Sequence, residues 1–425
     1  MKINLKFNRQ RIDELFIIGV ILMYIPILPI DVETQPLLCL LAVTIGTYYV
    51  HLNKYVVKPS SIIALLLVFI ILGGLVHSIG ISSFAIVESA KYLVGPIIYI
   101  LMRDNLKYYQ LATLKNTTIV LLIIAILTAF NFGPISKLLA NAISHIIERS
   151  TIGGIDGMRG ISLISNEPSY AAGQLIFLLL ITDFFRINND LNNSSIKTIK
   201  YIKFAIIIMI VLTKSALGIL FLAAYTLPLA MTKFNARHAL LIIASSVVLT
   251  IAENLKPSRI SQVFTALSEV DLNNLLLSLS ILEPSGTTRI FLNISAFSAL
   301  IFNPIGFGIG SFQNNWYNLL DKLGMYFLAN HEVLGNAYTN QLGTNASTYL
   351  ANITHDLGVV PFILIISLLI HPLFRPTAHR TLRWQIVLSI LIMFFFQSQI
   401  TNPVPWALLV ILHHLTEGTI ENSPS

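Results

Sequence analysis

The amino-acid sequence predicts an all-α polytopic membrane protein, and two observations carry that prediction. Of the 425 residues, 55% are hydrophobic and only 11% are charged, with a mean hydropathy of +0.76. A soluble domain carries about 25% charged residues, so this chain cannot cover a water-exposed surface. Its apolar runs also approach the roughly 20 residues that a helix needs to cross a bilayer. We therefore expect about 12 transmembrane helices in a single integral membrane domain over residues 1–425.

The apolar runs fall in two groups on either side of a long polar stretch. The nine predicted spans before it cover about Leu15–Ile30, Pro36–Val50, Ile62–His77, Phe84–Met102, Thr117–Phe130, Pro168–Phe185, Phe204–Thr213, Ala216–Met231 and Ala239–Ala252. The three after it cover about Thr348–Ile370, Trp384–Gln399 and Val404–Leu415. Pro168 suits the first position of its helix, because the N–H group that proline lacks has no partner there. The run Phe204–Thr213 is short for a full crossing.

Two polar excursions interrupt the spans. The first, residues 131–167, begins with PISKLLANAISHII. Apolar side chains three and four residues apart predict an amphipathic helix at the membrane interface, and a glycine-rich loop follows it. The second excursion, residues 254–346, contains one apolar run, Ile290–Phe302. At about 1.5 Å per residue this run falls short of the roughly 30 Å hydrocarbon core, so we expect a second interfacial helix.

Lysine and arginine residues orient this layout. With a cytoplasmic N-terminus, 18 of the 27 lysine and arginine residues lie in cytoplasmic loops, in agreement with the positive-inside rule. Counting Ile290–Phe302 as a span would move Arg375, Arg380 and Arg383 to the other side. We therefore expect both termini in the cytoplasm and both excursions outside it.

Several functional classes are excluded by what the sequence lacks. It carries no phosphate-cradling P-loop, no dinucleotide fingerprint and no Cys/His metal spacing, and loops outside the cytoplasm have no access to ATP. The net charge of +7 is typical of basic cytoplasmic loops rather than of nucleic-acid binding. The single cysteine, Cys39, excludes an intrachain disulfide. We expect no cofactor, no metal and no nucleic acid, and a substrate already activated by a lipid anchor.

Two arginines and a glutamate stand out in the excursions. Arg159 and Glu167 flank the end of the first excursion, and Arg289 opens the apolar run of the second. A guanidinium is a planar charged fork suited to phosphate, and two of them could hold a diphosphate as it leaves; the alternative is that both are solvated loop residues. Glu167 directly precedes Pro168, where a carboxylate favours a helix N-terminus. It is therefore either a capping or a catalytic residue.

Two lysines are further candidates for substrate binding. Lys91 lies three residues after Glu88 in the fourth span, so the two side chains share a helix face. Ionisable groups inside a span are usually functional or paired, and we favour mutual pairing. Lys214 lies at the turn after the seventh span, where a cation contacts a lipid phosphate or extends to the interface.

Two histidines are candidates for a general base near neutral pH. His331 lies in the second excursion, and His355 lies beside Asp356 about two turns into the tenth span. His145 belongs to the surface of the first interfacial helix in this prediction. The remaining candidates, His371, His379, His413 and His414, fall on the cytoplasmic side.

Four segments, in order along the chain, resemble bacterial O-antigen and exopolysaccharide polymerases. GMRGISLISNEPSYAA (Gly157–Ala172) resembles their Arg…Gly…Glu-Pro-Ser segment, and LTKSALG (Leu212–Gly218) resembles their Leu-Thr-x-Ser segment. TTRIFLNISAFSALIFNPIGFGIGSF (Thr287–Phe312) resembles a pattern that these polymerases share with O-antigen ligases. The pattern consists of an arginine, a lateral helix and an Asn-Pro-x-x-Gly-x-Gly turn. STYLANITHDLGVVPF (Ser347–Phe362) resembles the helix after their long periplasmic loop.

The resemblance implies a GT-C-like membrane glycosyltransferase at the periplasmic face of the bacterial inner membrane. Such enzymes join oligosaccharide units carried on undecaprenyl diphosphate without a nucleotide or an obligatory metal. Arg159 and Arg289 would then contact the donor diphosphate, and Glu167 belongs to the Glu-Pro-Ser segment. A chain-length regulator protein is a further partner compatible with this activity. The chain departs from the pattern at Ala346–Ser347, where many members have His-Asn, so His331 or His355 would substitute or no histidine base is used.

The resulting functional hypothesis is a repeat-unit polymerase for O-antigen or a related surface polysaccharide. Arg289, His331 and Glu167 are its candidate catalytic residues, and Arg159, Lys214, Lys91 and His355 its candidate substrate-binding residues. An O-antigen ligase, which transfers polymer to lipid A–core, is the nearest alternative. A flippase of lipid-linked oligosaccharide is an alternative from another class, and the lack of visible internal repeats and the scarcity of charges in the spans disfavour it.

Overall fold

The computed structural model describes residues 9–26, 34–51, 59–78, 84–103, 106, 108–130, 134–147, 160–232, 277, 284–397 and 399–417. Every regular element within these ranges is helical, and they contain no strand. The predicted all-α class is therefore confirmed. The predicted ninth span, Ala239–Ala252, and the candidate Arg159 lie outside the described residues.

Nine helices precede the second excursion in the described ranges. They are α1 (Arg9–Ile21), α2 (Leu37–His51), α3 (Pro59–Ser78), α4 (Ala85–Met102), α5 (Leu111–Ala129), α6 (Pro134–Ile146), α7 (Pro168–Asn188), α8 (Asn193–Leu212) and α9 (Ala216–Thr232). The second excursion contributes α10 (Pro284–Phe302), α11 (Phe312–Lys322), a 3-10 turn (Tyr326–Asn330) and α12 (Gly335–Thr339). The last part contains α13 (Tyr349–Leu357), α14 (Val359–Ile370), a 3-10 turn (His371–Phe374), α15 (Arg380–Ile392), a π-helical turn (Met393–Gln397) and α16 (Val404–Glu417).

Four described helices are long and apolar enough to cross a membrane. They cover Ser60–Ser78, Ala85–Met102, Leu111–Ala129 and Pro168–Asn188, and shorter apolar helices accompany them. Large hydrophobic side chains remain exposed along them, as at Phe69, Val120 and Ile123. Such exposed surface is what lipid-facing helices require, so helices and composition together indicate a membrane protein. The count of 12 spans stays a prediction.

Contacts between helix ends define two ends of the bundle. At one end, the Tyr170 ring stacks on Tyr24 with centroids 5.5 Å apart, and Thr401 Oγ1 donates to the carbonyl of Thr34 at 2.9 Å. These contacts join the C-terminal part of α1 and the starts of α2, α7 and α16. Both excursions return to the bundle here, at α7 and α13. We call this end the loop end.

The opposite end gathers the other helix termini. The Tyr108 amide donates to Asp13 Oδ2 at 2.7 Å, joining the starts of α1 and α5. Gln385 Nε2 in α15 donates to the carbonyl of Tyr225, in the second half of α9, at 2.6 Å. Thr377 Oγ1 donates to the carbonyl of Leu415 at 2.9 Å. α1, α5 and α15 thus begin at this end, whereas α2, α7 and α16 begin at the loop end, so the bundle contains helices of both directions.

Three helices of the predicted spans begin at least six residues before their apolar runs: α1, which begins at Arg9 rather than Leu15, and α8 and α5. The seventh predicted span began at Phe204, but α8 begins at Asn193, so its 20 residues include Lys197, Lys200 and Lys203. Asn192 caps this helix by accepting from the Ser195 amide at 2.8 Å. α5 begins at Leu111, six residues before the predicted start. Polar helical turns carry no apolar signal, and hydropathy therefore places helix starts too late.

The helix of the second excursion is also longer than predicted. It covers Pro284–Phe302 rather than Ile290–Phe302; its 19 residues extend about 28 Å, so length alone no longer argues against a crossing. Its contacts do. Arg289 near its start binds Glu167 at the loop end, and shortly after its end the Ile309 amide binds Ser78, the last residue of α3. α10 therefore lies across the loop end.

The tenth predicted span, Thr348–Ile370, is not continuous. Gly358 separates α13 from α14 with φ 79° and ψ −154°, a conformation essentially reserved for glycine. A break inside a span exposes backbone groups that lipid cannot satisfy. Here the turn after α10 supplies their partners. Phe307 and Gly308 donate to the carbonyls of His355 and Asp356 at 3.0 and 2.9 Å, and Val359 donates to the carbonyl of Pro304 at 2.9 Å.

The last two predicted spans have their boundaries moved slightly. The eleventh begins at Arg380 rather than Trp384, and its final turn, Met393–Gln397, is π-helical. The twelfth, α16, begins at Val404 as predicted. α6 is an amphipathic helix as predicted, with Ile135, Leu138 and Ile146 exposed along it.

Candidate active site

An ion pair at the loop end joins the two excursions. Arg289 Nη2 of α10 donates to Glu167 Oε2, at the start of α7, over 2.8 Å. The Arg289 side chain is 28% exposed and that of Glu167 is 42% exposed. Residues 122 positions apart in sequence thus meet where a ligand can reach them.

Glu167 occupies the N-cap position of α7 without capping it. Its backbone is extended, as an N-cap requires, but its carboxylate makes no capping hydrogen bond. Oε2 instead accepts from Arg289 and, at 3.2 Å, from Ser169 Oγ. An N-cap bond is typically worth about 1 kcal/mol. The capping alternative for Glu167 is therefore not the geometry found here, and its side chain points to Arg289.

Two stacked tyrosines support the arginine. The Arg289 guanidinium carbon lies 5.9 Å from the centroid of the Tyr170 ring, within reach of a cation–π interaction. Tyr170 stacks in turn on Tyr24, with 8° between the ring planes. The orientation of Arg289 thus depends on the aromatic ring as well as on the carboxylate.

Arg289 keeps most of its donors available. A guanidinium has five N–H donors. Within the described ranges, the bond from Nη2 to Glu167 is the only hydrogen bond of the Arg289 side chain. A permanently charged, part-exposed fork with spare donors can bind an oxyanion such as a phosphate.

His331 has both ring nitrogens engaged. Nδ1 accepts from the amides of Val333 and Leu334 at 3.1 Å each, so in the neutral ring the proton is on Nε2. Nε2 lies 3.1 Å from Thr287 Oγ1 on α10, two residues before Arg289. Burial lowers the pKa of His331, and nearby Glu332 opposes that shift. The ring therefore ties the loop to the first turns of α10, and its role as a base stays a prediction.

The candidate lysines occupy separate surroundings. Lys91 Nζ binds Glu88 Oε1 at 2.6 Å within α4, which confirms the predicted mutual pairing. Lys214 lies in the turn between α8 and α9 with φ 47°. The backbone of Thr213 and Lys214 packs so tightly on Gly160 that a Cβ at Gly160 would overlap it. No contact described here links either lysine to the Glu167–Arg289 pair.

His355 is part of a buried network. Its Nδ1 lies 2.8 Å from Asp356 Oδ1, and its ring lies between those of Phe307 and Phe312, with both centroids 5.0 Å away. The ring is fully buried, and its Nε2 has no hydrogen-bond partner among the described residues. No contact described here links His355 to Arg289, so the predicted substrate-binding role is without geometric support.

Asp356 is the centre of that network, which we call the buried clamp (Tyr92, Gly310, His355 and Asp356). Asp356 Oδ2 accepts from the Tyr92 hydroxyl at 2.9 Å and from the Gly310 amide at 2.7 Å. One carboxylate therefore holds α4, α13 and the turn after α10 together.

The sequence identified Glu167 and Arg289 as candidates, but it did not identify the residues that surround them. Tyr170 lies one helical turn after Glu167, a spacing that could have marked it. Tyr24, Thr287 and the pairing of Glu167 with Arg289 have no local sequence signal, because their partners come from distant segments.

In the described ranges, no three His, Cys, Asp or Glu side chains converge as metal ligands would. The loop end carries the part-exposed Arg289 over the Tyr170 ring, with the Glu167 carboxylate and the Ser169 hydroxyl beside it. Comparison with models of known protein families and with curated proteins finds no match for this chain.

Proposed function

We propose that the chain is a membrane glycosyltransferase, namely a polymerase that joins undecaprenyl-diphosphate-linked oligosaccharide repeat units into O-antigen or a related surface polysaccharide. The observation that carries the proposal is the Glu167–Arg289 pair. It combines an arginine and a carboxylate from two of the four segments that resemble such polymerases. It also places them together at a part-exposed position on the loop end.

In this proposal, Arg289 binds the diphosphate of the donor. The hydroxyl oxygen of the acceptor unit attacks the anomeric carbon of the donor chain. The bond from that carbon to the diphosphate oxygen breaks, and its electron pair leaves on undecaprenyl diphosphate, whose negative charge Arg289 stabilises. The hydroxyl proton passes to the Glu167 carboxylate. His331 acts as a positioning residue, because it holds Thr287 two residues from Arg289.

The membrane layout is part of the same proposal. The chain would have about 12 spans in a GT-C-like arrangement in the bacterial inner membrane, with both termini in the cytoplasm. The loop end would face the periplasm, where lipid-linked units are presented. The presence of helices of both directions in the described ranges and the position of α10 across the loop end support this layout.

An O-antigen ligase remains the nearest alternative, because the same arginine and lateral helix would serve it. The two activities differ in acceptor, and product analysis separates them. Loss of a polymerase leaves lipid A–core carrying one repeat unit, whereas loss of a ligase leaves bare core. A flippase is disfavoured because charges in the predicted spans are few, and because two ion pairs neutralise charges among them: Glu88 is bonded to Lys91, and Asp183 to Lys203.

The test is a gel of surface lipopolysaccharide from a deletion strain and from strains complemented with variants. We expect the deletion and Arg289→Ala to give only a single-unit band, and the wild-type gene to restore the ladder. Lys322→Ala is the matched control, because it removes a cation from the same excursion, 5.4 Å from the ring of Phe302. It should leave the ladder intact.

One outcome would contradict a polymerase, and another would contradict O-antigen as its product. Bare core in the deletion strain would indicate a ligase or a flippase instead. An unchanged ladder in both the deletion and Arg289→Ala would exclude O-antigen as the product, and capsular or exported polysaccharide would be assayed next.

A further inference from the structure

We infer that Glu167 occupies the anion-binding position of Arg289 in the substrate-free protein, and that a diphosphate displaces it. The carboxylate that leaves Arg289 then becomes the proton acceptor for the incoming hydroxyl. Donor binding would thereby release the base, so that the donor must bind before the acceptor can react. This inference rests on the proposed function and adds the order of events at its site.

The geometry of the pair is that of an exchangeable contact. Only one hydrogen bond, from Nη2 to Oε2, joins the two side chains, although an arginine and a carboxylate can form two in parallel. Oε1 of Glu167 has no partner in the described part of the chain. Part-exposed pairs of this kind contribute little to stability, and a multiply charged diphosphate competes well for the same donors.

Two other ion pairs in the described ranges are held more firmly. Lys203 binds Asp183 at 2.7 Å, both side chains are less exposed than those of Glu167 and Arg289, and the Tyr225 hydroxyl also binds Asp183 at 2.6 Å. Lys91 and Glu88 lie on one helix, with Glu88 buried. Neither pair links two excursions. Glu167–Arg289 is thus the described pair best placed to open.

Both partners keep their positions when the pair opens. Arg289 stays over the Tyr170 ring, a contact that does not involve the carboxylate. The backbone of Glu167 is fixed through its carbonyl, which accepts from Ser165 Oγ at 2.8 Å and from the Tyr170 and Ala171 amides at 3.1 Å each. A rotation of the Glu167 side chain alone is therefore sufficient, and Ser169 Oγ, already 3.2 Å from Oε2, remains beside it.

A binding titration separates this role from a purely supporting one. The full-length protein is purified in detergent and titrated with geranylgeranyl diphosphate, a short polyprenyl diphosphate. If Glu167 occupies the site, Glu167→Gln and Glu167→Ala should bind the probe about two- to five-fold more tightly than wild type, which corresponds to about 0.4–1 kcal/mol. Both variants should nevertheless lose polymer synthesis. Glu332→Gln, the same charge change at an exposed position of the second excursion, should alter neither.

The outcomes distinguish this inference from the proposed function. Equal or weaker binding by both Glu167 variants, with melting temperatures near wild type, would show that Glu167 supports Arg289 and would overturn the inference. An absence of saturable binding by wild type, or equal binding by wild type and Arg289→Ala, would overturn the proposed diphosphate site itself. Tighter binding with unchanged polymer synthesis would remove Glu167 as the base.

Discussion

The two ends of α10 are held in opposite ways. Near its start, Arg289 makes one hydrogen bond to a part-exposed carboxylate. After its end, the turn 303–310 is fixed by the buried Asp356 carboxylate, by Ser78 Oγ and by the backbone around Gly358. The difference assigns the two charged clusters to different tasks. The exposed, single-bonded pair can exchange partners with a ligand, whereas the buried clamp fixes the helix that presents Arg289.

The largest expected effect of a substitution is at Gly358. A Cβ there would overlap the carbonyl of Pro304, and φ 79° is strained for any other residue. Gly358→Ala should therefore cost about 3 kcal/mol or more, measured as a fall in melting temperature of the purified protein. Gly324→Ala is the matched control, because Gly324 has φ 74° but no atom within 4 Å of an added Cβ, and it should cost about 1 kcal/mol. Equal losses would show that the junction is not tightly packed.

The buried clamp should be the next most sensitive region. Asp356→Asn replaces one of two acceptor oxygens with an NH2 donor, so either the His355 ring or the Tyr92 hydroxyl and Gly310 amide lose their acceptor. We expect a loss of about 2–4 kcal/mol in thermal unfolding. Asp321→Asn affects a carboxylate that accepts from the Tyr338 hydroxyl on the surface of the same excursion, and should cost about 1 kcal/mol. If Asp356→Asn unfolds at the same temperature as wild type, the two ends of α10 are not held in different ways.

Substitutions in the part-exposed Glu167–Arg289 pair should have little effect on stability and a large effect on function. Arg289→Ala should change unfolding free energy by no more than about 1 kcal/mol while abolishing long polymer. Arg289→Lys keeps the charge but loses the planar fork, so it should give shortened polymer at near-normal stability. A fall in melting temperature as large as that of Asp356→Asn would mean that the pair is structural.

The smallest expected effect is a pH dependence from His331. Burial lowers its pKa below the ordinary 6.5, so the unfolded chain takes up the proton first as pH falls. The stability that the neutral ring contributes is complete above pH 6.5 and is lost as pH falls through the lowered pKa. Melting curves between pH 7.5 and 5 should show a decline that His331→Gln makes shallower. A steeper decline in that variant would contradict a neutral His331 ring with hydrogen bonds at both nitrogens.

The fold was predictable from sequence wherever hydropathy and helix length coincide. α4 and α16 begin within a residue of their predicted starts, because the apolar run and the helix cover the same residues. The prediction was wrong where the apolar run and the helix cover different residues. The lysines of α8 are helical but polar. Gly358 breaks a segment that was predicted as one span, because the segment itself does not show that a distant turn will satisfy the exposed backbone groups.

The site was predictable only as a set of residue types. Glu88 and Lys91 pair as predicted because both lie on one helix, three residues apart. Glu167 and Arg289 are 122 residues apart, and their pairing follows from the packing of α10 across the loop end. His355 was singled out for its chemistry, but its surroundings, Phe307 and Phe312, come from a turn whose position the sequence does not specify.

The break at Gly358 also constrains how the protein is made. Residues 303–310 leave the ribosome before residues 355–359, so the turn is made before the segment to which it binds. That segment can enter the bilayer as a nearly continuous helix, in which the carbonyl of Leu357 lacks its helical partner because Pro361 has no N–H. We expect the break at Gly358 to form when the turn docks, because the turn supplies partners for the carbonyls of His355 and Asp356 and for the amide of Val359. Insertion of the segment into the membrane would then precede the docking of α10 and its turn.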